Sequence, residues 1–437
     1  MKTPPVHPLP PTTPKPIPRS VAAVRGPQRV IGLRKAHSGR KLRLAFLSPE
    51  YVTTQPDGGG LASYLARIGA ALRSLGHEVE VFTLATGPGR INHHGVRVEH
   101  VTPASKGLLE ILGGYWRMRR LCGGTIDQLR GALALAGAFH RRDQERPFDI
   151  VQSSDWGISG YFVRPSPRRV HLVRCSWSRP LYQAHAGMGH ALDARLLTWL
   201  EGRCIRRADW AYAPSRFIAE DLATRWRVPV GVIRPPMIKP PSEGVPPAGL
   251  PPRYLIHLGQ LSSIKGTDLV GDALLRAWQE EPRLRLVLAG REAQPGLVQS
   301  ILDRCRKGES RVIWLGALPR PSLYAVLKRA AAAVLPSRCD NLPNAAIESL
   351  ALRVPVIGSR GASLDEIIED GCTGRLVPVG DVDALAQAMA QAWRRPRRLS
   401  PRDLQSSPLL QAMRPTVAAQ TLIDAAMQAR QTHRQAA

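Results

Sequence analysis

Residues 331–351 form the sequence unit that constrains the fold most: an apolar run, a short polar loop and an amphipathic segment. The run AAAVL at 331–335 predicts a buried strand, and Pro336 ends it because proline has no N–H for a ladder hydrogen bond. The loop 337–343 leads into AAIESLAL, whose apolar spacing predicts a helix that begins beside Asn344. A strand that passes through a short loop into a helix is the repeating unit of a doubly wound α/β domain.

Two carboxylates lie near the predicted start of this helix. Asp340 is in the loop and Glu348 is about one turn inside the helix, with seven residues between them. Unpaired N–H groups and the helix dipole favour a phosphate or a sugar oxygen at such a helix start. The Glu348 carboxylate can accept hydrogen bonds from two neighbouring hydroxyls, so a ribose diol is a natural partner.

The chain has 437 residues, which exceeds what one hydrophobic core usually serves, so two domains and tails are expected. From Lys41 a strand, a glycine-containing loop, a helix and a second strand follow one another, as in a doubly wound unit. The predicted segments are a basic, proline-rich disordered tail at 1–40, a first Rossmann-like domain at 41–235, a stiff linker at 236–252, a second Rossmann-like domain at 253–400, and a C-terminal helix at 401–437 that packs back on the first domain.

The net charge and the cysteine spacing limit the class of protein that this chain can be. The net charge of +27 should attract polyanions such as anionic lipids, nucleic acid or phosphorylated substrates, although a genome that favours Arg explains the same excess. The six cysteines show no pair at metal-ligand spacing, so we expect a reduced protein without structural zinc. The sequence shows neither an apolar run long enough for a bilayer nor a secretory signal, and a cytoplasmic protein is expected.

Several further segments occur in an order typical of one family: GGG before the first helix, GHEVEVFT, FDIVQSSDWG, RRADWAYAPS, GQLSSIKG, the acidic pair with VPVIGS, and GCTGRLVPVGD. With these segments the chain resembles the retaining GT-B glycosyltransferases of the large family that includes sucrose synthase, sucrose phosphate synthase and bacterial mannosyltransferases. The resemblance runs from about residue 41 to about residue 390. It implies an α/β protein of the GT-B type, with two doubly wound Rossmann-like domains that face each other across a cleft.

The resemblance also implies an activity. A sugar would pass from a UDP, GDP or ADP donor to a hydroxyl of a saccharide or lipid-linked saccharide, with retention of configuration and without a metal or other cofactor. Asp340 and Glu348 would be the catalytic pair, with Asp340 at the donor sugar and Glu348 at the ribose. The loop of Gly58, Gly59 and Gly60 would lie near the donor phosphate and the acceptor. The other implied site residues are, for the donor, Gly259, Gln260, Lys265, Arg338, Asn341, Leu342, Pro343, Asn344 and Ala345, and, as possible acceptor-side residues, Asp155, Ser176 and His185.

Three positions depart from the family pattern. The first acid is Asp340 where the family has Glu, Gln260 stands where most relatives have an Arg for the diphosphate, and Ser176 stands where many have a cleft His. Lys265 must then carry more of the charge, or Arg338 supplies the missing cation. These departures leave open a non-catalytic binding or partner subunit with the same fold.

The segment 104–140 predicts a helix that gathers aromatic and basic side chains in one short span: Tyr115, Trp116, Arg117, Arg119 and Arg120. Such a span suits the headgroup level of an anionic membrane, which favours polysaccharide biosynthesis at the inner face of the plasma membrane. A solvated helix face is the alternative. A basic protein that binds nucleic acid is a remote further alternative, since no motif accompanies the charge.

Overall fold

The structure is a computed structural model, and it describes residues 40–54, 59–103, 114, 116–186, 192–237, 244–305, 311–405 and 407–436. Residues 1–39 of the predicted 1–40 tail, Gly58 and the linker residues 238–243 lie outside the described residues. So do residues 104–113 and Tyr115 of the helix predicted at 104–140. The tail, the full glycine loop and the full linker therefore stay predictions.

A mostly parallel sheet organises the first domain. Within the described residues it has eight strands in the order β3-β4-β2-β1-β5-β6-β7-β8, and only β3 and β4 pair antiparallel. The strands are β1 Arg43–Ser48, β2 Glu78–Leu84, β3 Gly89–His93, β4 Val96–Val101, β5 Ile150–Ser154, β6 Val170–Arg174, β7 Trp210–Ala213 and β8 Val230–Val232. Every residue of β1 is buried, because helices cover both faces of a doubly wound sheet.

The helices of the first domain connect these strands. They are α1 Gly60–Ser74, α2 Trp116–Glu145, α3 Arg179–Ala186, α4 Leu192–Arg207 and α5 Arg216–Trp226. α2 is interrupted at Cys122, whose φ of −141° is not helical. Ser215 caps α5 with its hydroxyl, which accepts from the Ile218 N–H at 3.3 Å.

The second domain repeats the same plan. Within the described residues its sheet has six strands, all parallel, in the order β11-β10-β9-β12-β13-β14. The strands are β9 Leu255–Leu258, β10 Leu286–Ala289, β11 Val312–Trp314, β12 Ala332–Leu335, β13 Val356–Arg360 and β14 Gly374–Pro378. The helices are α6 Thr267–Glu280, α7 Leu297–Arg304, α8 Arg320–Arg329, α9 Asn344–Ala351 and α10 Val382–Arg394.

The chain crosses between the two sheets twice, and the two crossings lie side by side. The Met237 N–H, in the first crossing, donates to the Met413 carbonyl in the second at 2.8 Å. Two short helices, α11 Pro401–Gln405 and α12 Pro408–Ala412, precede this second crossing. The last helix, α13 Pro415–Ala436, then places Leu422 and Ile423 in the core of the first domain.

This topology brings the carboxyl ends of the central strands of both sheets to one cleft, where doubly wound proteins bind their ligands. In the described part of the chain, no helix combines the length and the apolar character needed to cross a membrane.

Candidate active site

The acidic loop, residues 337–343, carries the ion pair at the centre of the cleft. The Asp340 Oδ2 lies 2.5 Å from the Nζ of Lys265, which comes from the loop after β9. The other Asp340 oxygen accepts from the Asn341 N–H at 2.9 Å. Only 6% of Asp340 is exposed, so its charge is held by these contacts and not by bulk water.

Gly266 explains how the Lys265 loop comes so close to the acidic loop. Its φ is +74°, and a Cβ built there would lie 2.2 Å from the Pro336 carbonyl oxygen. Because an L side chain would be both strained and in collision, glycine is required at this position. The sequence had placed Lys265 and Gly266 at a strand end but contained no sign of this contact.

Asn341 joins the acidic loop to the first domain. Its side-chain oxygen accepts from the Ser215 hydroxyl at 2.8 Å, and its amide nitrogen donates to the Ser176 carbonyl at 2.6 Å. Ser176 in turn donates its N–H to Asp155 at 2.7 Å. Burial raises the pKa of Asp155 to about 6, against the backbone hydrogen bonds that favour the carboxylate. Asp155, Ser176 and Asn341 thus form one hydrogen-bonded chain across the cleft.

The start of α9 faces the glycine loop of the first domain. Gly59 precedes the first residue of α1 and Gly60 begins that helix. A Cβ built on Gly60 would lie 3.8 Å from the Asn344 side-chain nitrogen, and Asn344 is the first residue of α9. Two helix N-termini therefore approach each other, and such ends favour an anion between them. Pro343 and Leu342 precede the helix, and Ala345 lies in its first turn.

Glu348 lies in a group that the sequence did not reveal. Its carboxylate accepts from the Tyr324 hydroxyl at 3.3 Å. Burial raises the pKa of Glu348, and the charges of Arg320 and Arg67 lower it in part. Arg320 donates to the Ser63 hydroxyl of the first domain at 2.9 Å. Since these residues come from α1 and α8, no local pattern around Glu348 marks them.

Other predicted residues do not join this group. Arg338 places its guanidinium on Asp268, with two hydrogen bonds of 2.7 Å. His185 is exposed, and its Nδ1 is 2.8 Å from the Leu181 carbonyl of its own helix. Gln260 is exposed beside Gly259, whose φ of +118° turns the chain after β9.

The two doubly wound domains and the acid, lysine and helix-start arrangement at their cleft define a glycosyltransferase of the GT-B type. Residues 59–235 match the family model described as "Glycosyl transferase 4-like domain", and residues 252–395 match "Glycosyl transferases group 1". These two matches take in most of the chain. The protein belongs to the group 1 glycosyltransferases with the GT-B fold, which confirms the predicted family and fold class.

Individual relatives agree with this assignment. The chain is 28% identical over 369 residues to a D-inositol 3-phosphate glycosyltransferase of Mycobacterium avium, a match that covers 78% of this chain and 82% of the relative. Sucrose-phosphate synthase from Thermosynechococcus elongatus superposes with a TM-score of 0.62 at 19% identity, covering 90% of this chain and 99% of that one. An Anabaena protein in complex with UDP and glucose superposes with a TM-score of 0.59 at 16% identity, covering 88% and 99%.

Proposed function

We propose that the protein transfers a sugar from a nucleoside diphosphate sugar to a hydroxyl of a saccharide or lipid-linked saccharide, with retention of configuration and without a metal. The observation that carries this proposal is the Lys265–Asp340 pair, which lies beside the N-terminus of α9 at the cleft. The cation and the helix start suit a diphosphate, and the carboxylate beside them suits the sugar that is bonded to it. The Anabaena neighbour, solved with UDP and glucose, supports a nucleotide-sugar donor.

The leaving diphosphate gains negative charge as the anomeric bond breaks. Lys265, the N–H groups at Asn344 and Ala345, and the Gly59–Gly60 backbone are the groups that stabilise this charge. Asp340, paired with Lys265, faces the hydroxyls of the donor sugar or the positive character that develops at its ring. Glu348 holds the ribose diol.

Retention follows when the acceptor attacks from the face that the diphosphate leaves. The acceptor oxygen forms the new bond to the anomeric carbon while the old carbon–oxygen bond breaks, and a departing phosphate oxygen takes the acceptor's proton. No side-chain nucleophile takes part. Trapping of a covalent glycosyl-enzyme on a carboxylate would contradict this scheme.

The start of α2 supports contact with an anionic membrane. Trp116 is 68% exposed and Leu121 is 52% exposed, and the Arg117 guanidinium lies 5.4 Å from the Trp116 ring centroid. Exposed rings and guanidinium groups on one helix suit the headgroup level of a bilayer. We expect sedimentation with anionic vesicles at low salt and its loss in Trp116→Ala. Failure of the wild-type protein to sediment would remove the membrane from the proposal.

Calorimetric titration with UDP, GDP, ADP and their common sugars tests the donor site. One nucleotide should bind the wild-type protein and lose affinity in Glu348→Ala, since charge-assisted hydrogen bonds of about 1.5–3 kcal/mol each are removed. Glu220→Ala, which removes an exposed glutamate on α5, is the matched control and should bind like the wild type. Absence of nucleotide binding to the wild-type protein would favour a non-catalytic partner subunit.

Two further measurements test the retention of configuration and the transfer without a metal. Nuclear magnetic resonance of the product fixes the anomeric configuration, and inversion would contradict the retaining scheme. Transfer measured with and without a chelator tests the metal, and loss of activity on chelation would show that the scheme lacks a required cation.

A further inference from the structure

Three aromatic side chains follow the ends of β5 and β6 at the cleft: Trp156, Trp177 and Tyr182. The Trp156 and Trp177 ring centroids are 5.3 Å apart with an interplanar angle of 79°, and those of Trp177 and Tyr182 are 4.5 Å apart at 33°. We call this set the aromatic row. Trp156, at its outer end, is 37% exposed, whereas Trp177 and Tyr182 are partly buried.

The inner end of the row reaches the acidic loop. The Tyr182 hydroxyl lies at the Asn341 backbone, and burial, followed by the Asp340 charge, raises the pKa of Tyr182. The row is also tied to Asp155, which accepts from the Trp156 N–H at 2.7 Å and from the Ser176 N–H at 2.7 Å. The row therefore leads from open solvent to the Lys265–Asp340 pair.

The guanidinium that lies beside the row is already paired with a carboxyl group. The Arg179 guanidinium lies 5.8 Å from the Trp156 ring centroid and 5.7 Å from that of Trp177. The same guanidinium contacts Glu201 at 2.6 Å, and the two side chains are 12% and 7% exposed. Burial raises the pKa of Glu201 to about 7, and the hydrogen bond from Arg179 opposes that shift. Because the guanidinium is already engaged by this buried partner, the surface beside it favours an uncharged molecule.

We propose that the aromatic row is the acceptor subsite and that it binds an uncharged saccharide of at least two rings. This inference rests on the proposed sugar transfer. One face of a sugar ring is lined by C–H groups and stacks on an aromatic side chain, while its hydroxyls stay free for polar partners. The ring that reacts lies near Tyr182 and Asp340, and the next ring stacks on Trp156.

This assignment separates the chain from relatives named for a phosphorylated single-ring acceptor. An inositol phosphate needs cations and offers one ring, whereas the row places three aromatic rings in consecutive contact. The row also differs from other exposed tryptophans. Trp199 is 51% exposed with Arg203 at 5.7 Å from its ring centroid, but it lies on α4 and not at a strand end.

The test compares ligands and variants on protein saturated with the nucleoside diphosphate that binds most tightly. The ligands are glucose, mannose, maltose, cellobiose, mannobiose and D-inositol 3-phosphate, and binding is followed by saturation-transfer resonance and calorimetry. We expect a neutral disaccharide to bind better than its monosaccharide. Trp156→Ala should weaken the disaccharide roughly 3- to 10-fold and leave the monosaccharide nearly unchanged.

Two variants make the result specific. Trp156→Phe should recover most of the disaccharide affinity, and Trp199→Ala should behave like the wild type. Nucleotide affinity measured on each variant keeps the two proposals apart, because intact nucleotide binding with altered saccharide binding concerns only the acceptor subsite. The inference is overturned if no neutral saccharide binds, if D-inositol 3-phosphate binds better than every disaccharide, or if Trp156→Ala leaves the preference for two rings intact.

Discussion

The two acids of the 340–348 segment lie one loop and one helical turn apart, yet their surroundings differ. Asp340 is held by the ammonium of Lys265 at 2.5 Å, which comes from the same domain. Glu348 instead accepts from the neutral Tyr324 hydroxyl at 3.3 Å, and the charges that act on it come from Arg320 in the second domain and Arg67 in the first. The first carboxylate has its cation in its own domain, whereas the charges that act on the second come from both domains.

This difference teaches that spacing in the sequence does not fix what an acid does. A carboxylate that is paired with an ammonium, as Asp340 is, can oppose positive charge at a sugar ring. A carboxylate with a raised pKa and a neutral hydroxyl partner, as Glu348 has, can exchange that phenol for a ribose diol. Each of the following predictions tests the surroundings of one of these two acids.

Removal of Lys265 should have the largest effect. Lys265→Ala takes a cation from the leaving diphosphate and leaves Asp340, only 6% exposed, without its partner. Loss of one preorganised group that stabilises developing charge typically costs about 10²–10³ in kcat. Steady-state transfer rates with the identified donor check this. The double variant Lys265→Ala/Asp340→Ala should lose less than the product of the single losses, because the two groups act as a pair.

A surface pair provides the control for this variant. Arg276 and Asp383 form an ion pair between α6 and α10 with both side chains largely exposed. Arg276→Ala should leave kcat within about twofold, since exposed pairs contribute little. Equal losses in Lys265→Ala and Arg276→Ala would mean that the rate reports domain stability and not charge at the cleft.

Removal of a ribose hydroxyl should have an intermediate effect that depends on Glu348. In the wild-type protein, the 2′-deoxy form of the preferred nucleoside diphosphate should bind roughly tenfold more weakly than the ribose form. In Glu348→Gln this difference should shrink, because the amide accepts a weaker hydrogen bond than the carboxylate. Calorimetry with the ribose and 2′-deoxy nucleotides, on the wild-type protein and on Glu348→Gln, gives the four dissociation constants. A full tenfold difference that persists in Glu348→Gln would place the ribose elsewhere.

Much of the second-domain site could be predicted because its parts are adjacent in the sequence. AAAVLP, the loop and AAIESLAL predict the strand, turn and helix that the structure has at Ala332–Leu335 and Asn344–Ala351. The glycine loop, Lys265 and the acidic pair each follow a strand, and parallel strands bring their carboxyl ends together. Topology thus turns separate local patterns into one site.

The partners of these residues could not be predicted. Tyr324, Arg320 and Arg67 reach Glu348 only through the packing of α8 and α1 at the cleft, and each has the appearance of an ordinary helix residue in the sequence. The pairing of Arg338 with Asp268 was equally hidden, since Asp268 lies in the first turn of α6, 70 residues away along the chain. Several partners are possible for each of these side chains. Which one it contacts depends on distances that exist only in the folded domains.

The smallest predicted effect concerns pH and the Tyr324 hydroxyl. Burial raises the pKa of Glu348 above 4.5, and the Tyr324 hydrogen bond is one of the contacts that lower it. The carboxylate is the form that binds the diol, so nucleotide affinity should be full above this raised pKa and decline as pH falls through it. Tyr324→Phe removes the hydrogen bond, raises the pKa further and should move the decline to higher pH by less than about one unit.

Nucleotide affinity measured from about pH 4.5 to 8 checks this shift, and Glu348→Gln supplies the baseline. The diphosphate itself titrates in this range, and Glu348→Gln records that contribution alone because it has no carboxyl at this position. Subtraction of its profile should leave the decline that belongs to Glu348. A decline at the same pH in Tyr324→Phe and the wild-type protein would show that burial and the Arg320 and Arg67 charges, and not the phenol, set the ionisation of Glu348. The second acid would then resemble the first, a carboxylate governed by its cations.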